Sequence, residues 1–409
     1  MNKVGILTTN YPYGVGEQFL EQEILFWGEQ TSLEVSLLPY NCKGSQRPVP
    51  AKVMINKDFS FSINYFYIFI LIFQSFFWKE LFYLISSKKI SIVNLMRAVK
   101  FGLLIYISFR KLKKNNSSCD LYYSYWSDFF SYGALLLKKH KSIKVLTRMH
   151  GYDLYENLYA KNYMPYKRQF INKYDAILLL SDSAKQYLVS SFNYDQNKIK
   201  IIPLGVFINK DSALNLTNKN TIKIVSVSNC IQVKRIDKII DALCLINKKN
   251  PDVKIIWHHY GNGILRGDLE NQARRKLNTQ DISYSFKGQV SNSVLQKNIS
   301  ENSYDLIINS SESEGIPVSL MEAMSKYVVP IAPNIGGIKH LVDRKNGYLI
   351  SSAAKVEEIS DAVLDYIYKQ SDEQQIQKIS AYHKVKESYN SQINYTNLIK
   401  IVERVLGVK

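Results

Sequence analysis

Short apolar runs alternate with amphipathic helical patterns along the chain, and this alternation predicts parallel β-sheets. Near the N-terminus, "KVGILTT" is typical of a buried strand, and the loop and helical pattern of "NYPYGVGEQFLEQEILFW" follow it. The next strand candidates are "LEVSLLPY", "DLYYSY", "KVLTRMHG", "AILLLSDS" and "KIKIIPLG". Strand–helix–strand units of this kind build parallel sheets with right-handed crossovers.

The polar stretch from Asn209 to Thr221, "NKDSALNLTNKNT", predicts a linker, and the same alternation starts again after it. Strand candidates there are "IKIVSVSN", "VKIIWHHYG", "ISYSFKGQV", "YDLIINSS", "VVPIAPN" and "GYLI". A single core stops growing at ~250–300 residues, so 409 residues predict two. We therefore predict an α/β fold of two Rossmann-like, doubly wound domains facing a cleft, residues 1–207 and 208–385. Residues 386–409 are predicted to form a helix that closes back on the first domain.

The composition is that of a globular protein, with 46% hydrophobic and 22% charged residues. The formal net charge of +18 predicts an anionic partner, such as a nucleic acid, a membrane surface or a phosphorylated substrate. The four cysteines are widely spaced, with no zinc-ligand spacing, and "MNKVGILTT" predicts a strand rather than a secretion signal. These features favour a reducing, cytoplasmic setting.

The stretch from Phe59 to Trp78 carries no charged residue over 20 positions. That length is enough to span a bilayer, but its polar residues and dense aromatics favour an interface or a groove. Three interpretations stay open: a helix at a membrane interface or acceptor groove, a core helix, or a membrane span. From Lys79 to Lys114, nine Lys or Arg residues stand against one acid, Glu80. Together the two segments predict peripheral binding to the anionic inner face of the cell membrane.

Candidate binding residues follow the predicted strands, where parallel sheets bind their ligands. Gly14 and Gly16 follow the first strand, and two glycines there let backbone N–H groups approach an anion; a plain turn is the alternative. His150 follows the strand "KVLTRMHG" and is a candidate for a functional histidine, with a structural role as the alternative.

The second half offers further loops of this kind. Lys234 and Arg235 lie between a predicted strand and a helix, which suits a pyrophosphate leaving group; a solvated basic pair is the alternative. Gly261 and Gly263, on either side of Asn262, predict a tight turn that packs beneath a base or a ribose.

The segment "SEGIPVSLMEAM" places one glutamate on each side of a Gly-Ile-Pro turn. Pro317 suits the first position of a helix. Glu314 lies before that helix, and Glu322 lies ~7.5 Å along its axis. This arrangement predicts two acceptors for ligand hydroxyls, with backbone amide donors for a phosphate between them. The alternative is an acid favoured by the helix dipole and a surface glutamate.

These segments resemble the family 4 glycosyltransferases of the GT-B fold. "SEGIPVSLMEAM", "VVPIAPNIGGIKHLV" and "NGYLI" resemble the family signature, and "YPYGVGEQFLEQE", "RMHGYDLY" and "VKRID" resemble a subgroup of bacterial surface-polysaccharide enzymes, which make O-antigen, capsule or exopolysaccharide. The resemblance covers nearly the whole chain. It implies retaining, metal-independent hexosyl-type transfer from a nucleotide-diphospho-sugar, UDP- or GDP-linked, to a lipid-diphosphate-linked saccharide. It implies no cofactor other than that donor substrate.

The resemblance also assigns roles. The first domain would bind the acceptor and the second the nucleotide sugar. Glu314 would contact the donor sugar and Glu322 its ribose, Lys234 the diphosphate, and His150 the sugar near the reacting carbon. His150, Glu314 and Lys234 are the predicted catalytic residues. The predicted donor-binding residues are Gly14, Gly16, Asn229, Lys234, Arg235, Gly261, Asn262, Gly263, Glu314, Gly315, Ile316, Pro317, Val318 and Glu322. Two positions depart from the family, Asn229, where an arginine is usual, and Asn262, where an acid is frequent.

Two other classes of protein stay open as alternatives. One is a soluble GT-B phosphorylase or epimerase, which does not need the basic band from Lys79 to Lys114. The other is a non-catalytic, membrane-associated protein that binds sugar nucleotides or acts as a scaffold, against which the glutamate pair argues. Nucleic-acid binding is not expected, because the basic band lacks the aromatic-interleaved sheet or helix-turn-helix pattern of such proteins.

Overall fold

The structure is a computed structural model, and it describes residues 2–14, 16–17, 20–30, 32–114, 119–208, 214, 221–250 and 253–408. The chain divides into two compact units. Unit 1 comprises Met1–Pro203 with Gln392–Lys409, and unit 2 comprises Leu204–Ser391. These boundaries lie a few residues from the predicted ones, because Val206 pairs with the backbone of Tyr389 and Ser391. The predicted linker falls largely outside the described residues.

Unit 1 is built on a parallel sheet which, over the described ranges, has seven strands in the order β3-β2-β1-β4-β5-β6-β7. The strands are β1 (Lys3–Thr8), β2 (Glu34–Pro39), β3 (Val53–Ile55), β4 (Leu121–Ser124), β5 (Lys144–Arg148), β6 (Ala176–Leu179) and β7 (Ile199–Ile201). Its α-helices are α1 (Leu20–Gln30), α2 (Ile68–Leu71), α3 (Ser75–Ser86), α4 (Ile92–Lys114), α5 (Phe129–Leu137), α6 (Gly151–Leu154), α7 (Lys167–Phe170) and α8 (Asp182–Phe192).

Unit 2 repeats this architecture with a parallel sheet that has, within the described part of the chain, six strands in the order β10-β9-β8-β11-β12-β13. The strands are β8 (Thr221–Val227), β9 (Lys254–Tyr260), β10 (Ile282–Gly288), β11 (Leu306–Ile308), β12 (Val329–Pro333) and β13 (Tyr348–Ile350). The helices that follow β8 are α9 (Ile236–Lys249), α10 (Arg266–Lys276), α11 (Asn292–Asn302), α12 (Val318–Met324), α13 (Ile338–Leu341), α14 (Val356–Tyr368), α15 (Ser371–Ser388) and α16 (Ser391–Leu406).

The hydrophobic runs of the sequence form strands because both faces of each sheet are covered. Strands β4, β11 and β12 are buried at every position, which is the pattern of a parallel sheet with helices on both faces. The predicted fold class, two Rossmann-like domains with parallel sheets, is confirmed.

Helix α16 returns the end of the chain to unit 1. The ring of Tyr395 lies 6.1 Å from that of Phe26 in α1, and Leu398 and Val402 are fully buried. The Asn394 amide donates a hydrogen bond to the carbonyl oxygen of Pro203. The closing helix predicted for the C-terminus is therefore present, whereas α15 belongs to unit 2.

The charge-free stretch from Phe59 to Trp78 is divided between short helical turns, α2 and the start of α3. The pair Tyr65–Leu71 and Ser75–Ser86 is long and apolar enough to cross a membrane only if taken together, and it bends by 84°. Helix α4 meets the same criterion alone, with 44% of its apolar window buried in the protein. A core helix of a soluble protein has these properties too.

The same stretch exposes large aromatic side chains. Phe76, Phe77 and Leu84 point into the core of unit 1, where the buried carboxylate of Glu80 accepts hydrogen bonds from Tyr163 (2.9 Å) and the backbone N–H of Tyr166 (2.7 Å). The opposite side of these elements forms what we call the aromatic surface. Its residues are Tyr65 (71% exposed), Phe66 (68%), Phe69 (64%), Phe73 (81%), Trp78 (56%) and Phe82 (71%).

Candidate active site

The order of the strands in unit 2 reverses between β8 and β11, and ligands of open parallel sheets bind where the order reverses. The loops that follow these two strands are held together by hydrogen bonds. The Ser310 hydroxyl donates to the carbonyl oxygens of Lys234 (2.9 Å) and Arg235 (2.8 Å), and the backbone N–H of Glu312 donates to Val233 (2.8 Å). The predicted residues Lys234 and Glu314 therefore meet at the same sheet edge.

Lys234 and Glu314 form an ion pair at this edge, with 2.5 Å between Nζ and Oε1. Their side chains are 21% and 13% exposed. The same carboxylate oxygen accepts hydrogen bonds from the Ser311 hydroxyl (2.7 Å) and the Asn309 amide (3.2 Å). The half-buried ammonium group of Lys234 is thus fixed after the end of β8 by the Glu314 carboxylate, which Ser311 and Asn309 hold in place.

Arg235 is held differently from Lys234. Its backbone is left-handed, with φ of 48°, and its guanidinium contacts Asp237 (2.9 Å) and Glu312 (2.5 Å). Asp237 lies in the first turn of α9 and Glu312 in the loop after β11, and the two acids balance the charge of Arg235. Asn229, two residues after the end of β8, is exposed. Lys234 is therefore the better placed of the two predicted cations to meet a diphosphate.

The turn from Gly261 to Gly263 needs its glycines for packing. Gly261 has φ of +145°, and a Cβ there would lie 1.8 Å from the carbonyl oxygen of Ser228. A Cβ on Gly263 would lie 2.5 Å from the carbonyl oxygen of Cys230. Asn262 is exposed, and its side-chain oxygen accepts a hydrogen bond from the N–H of Gly263 (2.9 Å). The turn thus follows the end of β9 and packs directly on the loop that follows β8.

The turn before α12 differs from the prediction by one position. The helix begins at Val318, and Pro317 is the residue before it, with extended backbone. The next turn of chain packs close beneath, since a Cβ on Gly336 would lie 1.9 Å from the carbonyl oxygen of Glu314. A Cβ on Gly315 would meet no atom within 4 Å, whereas Ile316 is buried. The side of the turn at Gly315 is therefore open to a ligand.

Glu322 is buried in α12, with only 4% of it exposed, so the alternative of a surface glutamate is wrong. Burial raises the pKa of its carboxyl to about 7, against the lowering effect of the Asn292 and Gln296 side chains. The Asn292 amide nitrogen lies 2.6 Å from Oε1. Helix α11 therefore holds this carboxyl in place.

Replacing Glu322 by glutamine is expected to change the pH dependence of stability. A carboxyl whose pKa is raised to about 7 stabilises the fold fully below its unfolded pKa of roughly 4.3, and this contribution is lost as the pH rises through 7. Glutamine stays neutral, so Glu322→Gln should raise the melting temperature of the ligand-free protein at pH 8 and raise it much less at pH 5. The gain at pH 8 should be on the order of 2–3 kcal/mol.

The matched control is Glu301→Gln, at an exposed glutamate of α11, which should leave the melting temperature unchanged at both pH values. Equal shifts for Glu322→Gln at pH 5 and pH 8, or a lower melting temperature at pH 8, would show that folding does not raise the pKa of the buried carboxyl.

In unit 1 the strand order reverses between β1 and β4. The loop after β1 contains Gly14 and Gly16, with φ of +59° and +104°, where a side chain would be strained. The N–H of Gly14 donates to the carbonyl oxygen of Ser45 (3.0 Å). The carbonyl oxygen of Gly16 accepts from Arg47 (2.7 Å), which also pairs with Glu21. The two glycines thus shape this loop at the reversal point of the first sheet.

His150 follows β5 and precedes α6. Its backbone N–H donates to the Asp153 carboxylate (2.5 Å), and its ring lies 4.3 Å from that of Trp126. Burial, and then the charge of Arg148, hold the pKa of the imidazole well below its ordinary value. His150 is therefore a neutral hydrogen-bonding group at physiological pH. Arg148 itself is fully buried against Glu23 (3.2 Å) and has a structural role.

Several polar residues at these sheet edges were not predicted. Glu17 and Trp126 lie at the reversal point of the first sheet, and Asn292, Asn309 and Ser311 hold the two glutamates of the second. Glu17 directly follows Gly16 in the quoted loop, and Trp126 directly follows the strand "DLYYSY", so position after a strand is the signal that could have found them. Among the described residues, no group of three or more His, Cys, Asp or Glu side chains could hold a metal ion.

Both halves of the chain match models of glycosyltransferase families. The model "Glycosyl transferases group 1" matches residues 207–383, and the model "Glycosyltransferase Family 4" matches residues 83–210. Together they cover more than half of the chain. The amylovoran biosynthesis glycosyltransferase AmsK of Erwinia amylovora is 22% identical over 292 residues, which are 68% of this chain and 69% of AmsK.

Solved structures share the fold over both units. A glycosyltransferase from Rickettsia africae has a TM-score of 0.66 at 16% identity and covers 99% of this chain and 98% of its own. Sucrose-phosphate synthase from Thermosynechococcus elongatus has a TM-score of 0.70 at 12% identity and covers both chains fully. HepE of Anabaena, solved with UDP and glucose, has a TM-score of 0.61 at 14% identity and covers 98% of this chain and 100% of its own.

Proposed function

The chain belongs to the family 4 glycosyltransferases of the GT-B fold, and we propose that it transfers a sugar from a nucleotide-diphospho-sugar to a lipid-linked saccharide. The transfer retains the configuration of the sugar and needs no metal ion. The reaction serves the synthesis of a bacterial surface polysaccharide at the cytoplasmic face of the membrane.

The ion pair of Lys234 and Glu314 is the observation that carries this proposal. It places a cation and an acceptor for sugar hydroxyls side by side at the strand reversal of unit 2 (2.5 Å). In the proposed complex the donor diphosphate binds Lys234, the transferred sugar binds Glu314, and the ribose binds Glu322. Fixed charge beside a leaving group is the largest single contribution to many enzymatic rates.

The proposed chemistry breaks the bond between the anomeric carbon and the diphosphate oxygen. An acceptor hydroxyl attacks from the face that the diphosphate leaves, and the departing phosphate oxygen takes the hydroxyl proton. Lys234 stabilises the negative charge that develops on the diphosphate. His150, neutral because its pKa is low, donates a hydrogen bond to the donor sugar and places no positive charge beside a cationic transition state.

The lipid part of the proposed acceptor is supported by the aromatic surface. Exposed apolar surface of this kind is typical of sites that bind a protein, a ligand or a membrane, and Lys79, Lys88 and Lys100 are exposed on the same helices or beside them. Aromatic and cationic side chains together suit an interface with anionic lipid. We place the protein on the cytoplasmic face of the membrane as a peripheral protein, with its anionic lipids as partners.

The polysaccharide and the nucleotide are supported by relatives. AmsK is named for the biosynthesis of amylovoran, and HepE was solved with UDP and glucose. A UDP-linked donor is therefore the first to test, followed by a GDP-linked one.

Screening UDP-, GDP- and ADP-sugars by thermal shift tests the proposal. A ligand that binds only the folded chain stabilises it by about 2.7 kcal/mol at one hundred times its Kd. We expect one nucleotide class to raise the melting temperature and the matching sugar nucleotide to be hydrolysed slowly in buffer that contains EDTA. Stabilisation without any turnover would support the scaffold alternative. Turnover that requires magnesium would contradict the metal-independent reaction.

A further inference from the structure

Glu17 joins two loops at the strand reversal of unit 1. It is 7% exposed and has φ of 48°. Its carboxylate accepts hydrogen bonds from the backbone N–H groups of Thr9 (3.1 Å), Asn10 (2.7 Å) and Tyr11 (2.8 Å), in the loop after β1. It also accepts one from the indole N–H of Trp126 (2.6 Å), in the loop after β4. A buried carboxylate is costly unless it is satisfied in this way.

A second carboxylate holds the other side of Trp126. Asp153 accepts hydrogen bonds from the backbone N–H of Ser127 (2.8 Å) and of His150 (2.5 Å). The hydroxyl of Ser124 donates to the carbonyl oxygen of Trp126 (2.7 Å). The orientation of the indole is therefore fixed through its ring nitrogen and through the backbone on both sides.

The indole belongs to an aromatic cluster that reaches the solvent. Its ring lies 4.3 Å from the ring of His150 and 4.9 Å from that of Tyr152. Trp126 is half-buried, and Tyr152 is 48% exposed. Tyr123 and Tyr125, which precede it along the chain, are fully buried. Trp126 and Tyr152 thus present aromatic area at the sheet edge where an open parallel sheet binds its ligand.

We propose that Trp126 and Tyr152 form a platform that stacks against a sugar ring of the acceptor saccharide, and that Glu17 positions it. The C–H bonds on one face of a pyranose pack against the negative face of an aromatic ring. A half-buried indole offers a neutral ligand mainly this face. This inference rests on the proposed function. It assigns the platform to the acceptor because Lys234 and Glu322, the proposed contacts to the donor diphosphate and ribose, belong to unit 2. His150, which lies beside the platform, is proposed to contact the donor sugar near the reacting carbon, where the acceptor hydroxyl attacks.

The first test compares wild type with Trp126→Ala and Trp126→Phe. The probes are octyl glycosides of glucose, galactose, mannose and N-acetylglucosamine, and binding is measured by saturation-transfer NMR. We expect the saturation-transfer signal of the bound probe to fall about tenfold or more for Trp126→Ala, since stacking on one ring is worth ~1–1.5 kcal/mol or more. In assays of sugar transfer, the KM for the glycoside probe should rise. Trp126→Phe keeps a ring and should lose less. Calorimetric affinity for UDP and GDP should change less than twofold.

The second test asks whether Glu17 acts through the indole. Glutamine cannot accept all the hydrogen bonds that the carboxylate accepts, so Glu17→Gln should raise the KM for the probe. Phenylalanine has no N–H group, so the effect of Glu17→Gln should be smaller in the Trp126→Phe protein. A purely structural glutamate would give the same loss in both proteins.

Tyr368→Ala, at a 63% exposed tyrosine of unit 2, is the matched control and should leave probe binding unchanged. A wild type that binds none of the glycosides, or a Trp126→Ala protein that binds them normally, overturns the platform. A Trp126→Ala protein that loses affinity for UDP or GDP would show that the ring stacks on the base of the donor instead. In either case a donor that is hydrolysed normally leaves the proposed function standing, whereas a wild type without donor turnover contradicts that function itself.

Discussion

Replacing Lys234 by alanine should lower the rate of sugar transfer by ~10²-fold or more at saturating donor. Lys234 is the cation that the structure fixes beside Glu314, at 2.5 Å. Without it, the charge that develops on the leaving diphosphate has lost its nearest proposed counter-ion, and Arg235 is already paired with Asp237 and Glu312. The measurement is single-turnover transfer, with donor affinity determined separately by calorimetry.

Two further variants separate catalysis from folding. Lys249→Ala, at an exposed ion pair on α9, should transfer sugar at the normal rate. Lys234→Arg keeps the positive charge and should recover part of the lost rate. Its melting temperature should stay close to that of the wild type, since a charge balances Glu314. Near-normal turnover for Lys234→Ala would remove Lys234 from the proposed mechanism.

Introducing aspartate at both Phe73 and Phe82 should abolish binding to vesicles. These two side chains are 81% and 71% exposed on the aromatic surface, and burying a phenylalanine in an apolar phase is worth ~1.5–3 kcal/mol. The added negative charges also repel an anionic membrane. We expect the wild type to sediment with vesicles of phosphatidylglycerol, to bind phosphatidylcholine vesicles weakly, and to be released in large part by high salt. The double variant should bind neither.

Ile264→Asp is the control for this experiment, because Ile264 is 89% exposed in unit 2, and its replacement should leave vesicle binding intact. The aspartate variants should still hydrolyse the donor, since no donor contact lies on the aromatic surface. Protein that stays with natural membranes through both high salt and alkaline carbonate would be integral, and the peripheral interpretation would then be wrong. Binding by the double variant equal to that of the wild type would exclude the aromatic surface.

The strands and the two-domain fold could be predicted because parallel strands are buried on both faces and stand out as apolar runs. Lys234 and Glu314 could be predicted as site residues for a related reason, since the sequence pattern reveals where each strand of such a sheet ends. Their pairing needs only that β8 and β11 be neighbours, as they are at the strand reversal.

Contacts between distant segments could not be predicted in this way. Glu17 and Trp126 are 109 positions apart, and the hydrogen bond between them depends on the conformations of two irregular loops. The break in the apolar stretch between α2 and α3 has no glycine or proline to mark it.

The route of the chain bears on how the protein is made. Unit 1 contains β1 to β7, but α16, which packs Tyr395 against Phe26, is translated only after all of unit 2. Domains usually fold in order of synthesis. Here unit 1 lacks α16 until all of unit 2 has been translated. Until then the face of α1 that later receives α16 is uncovered and open to chaperones. A nonsense mutation near residue 391 would therefore damage the beginning of the protein as much as its end.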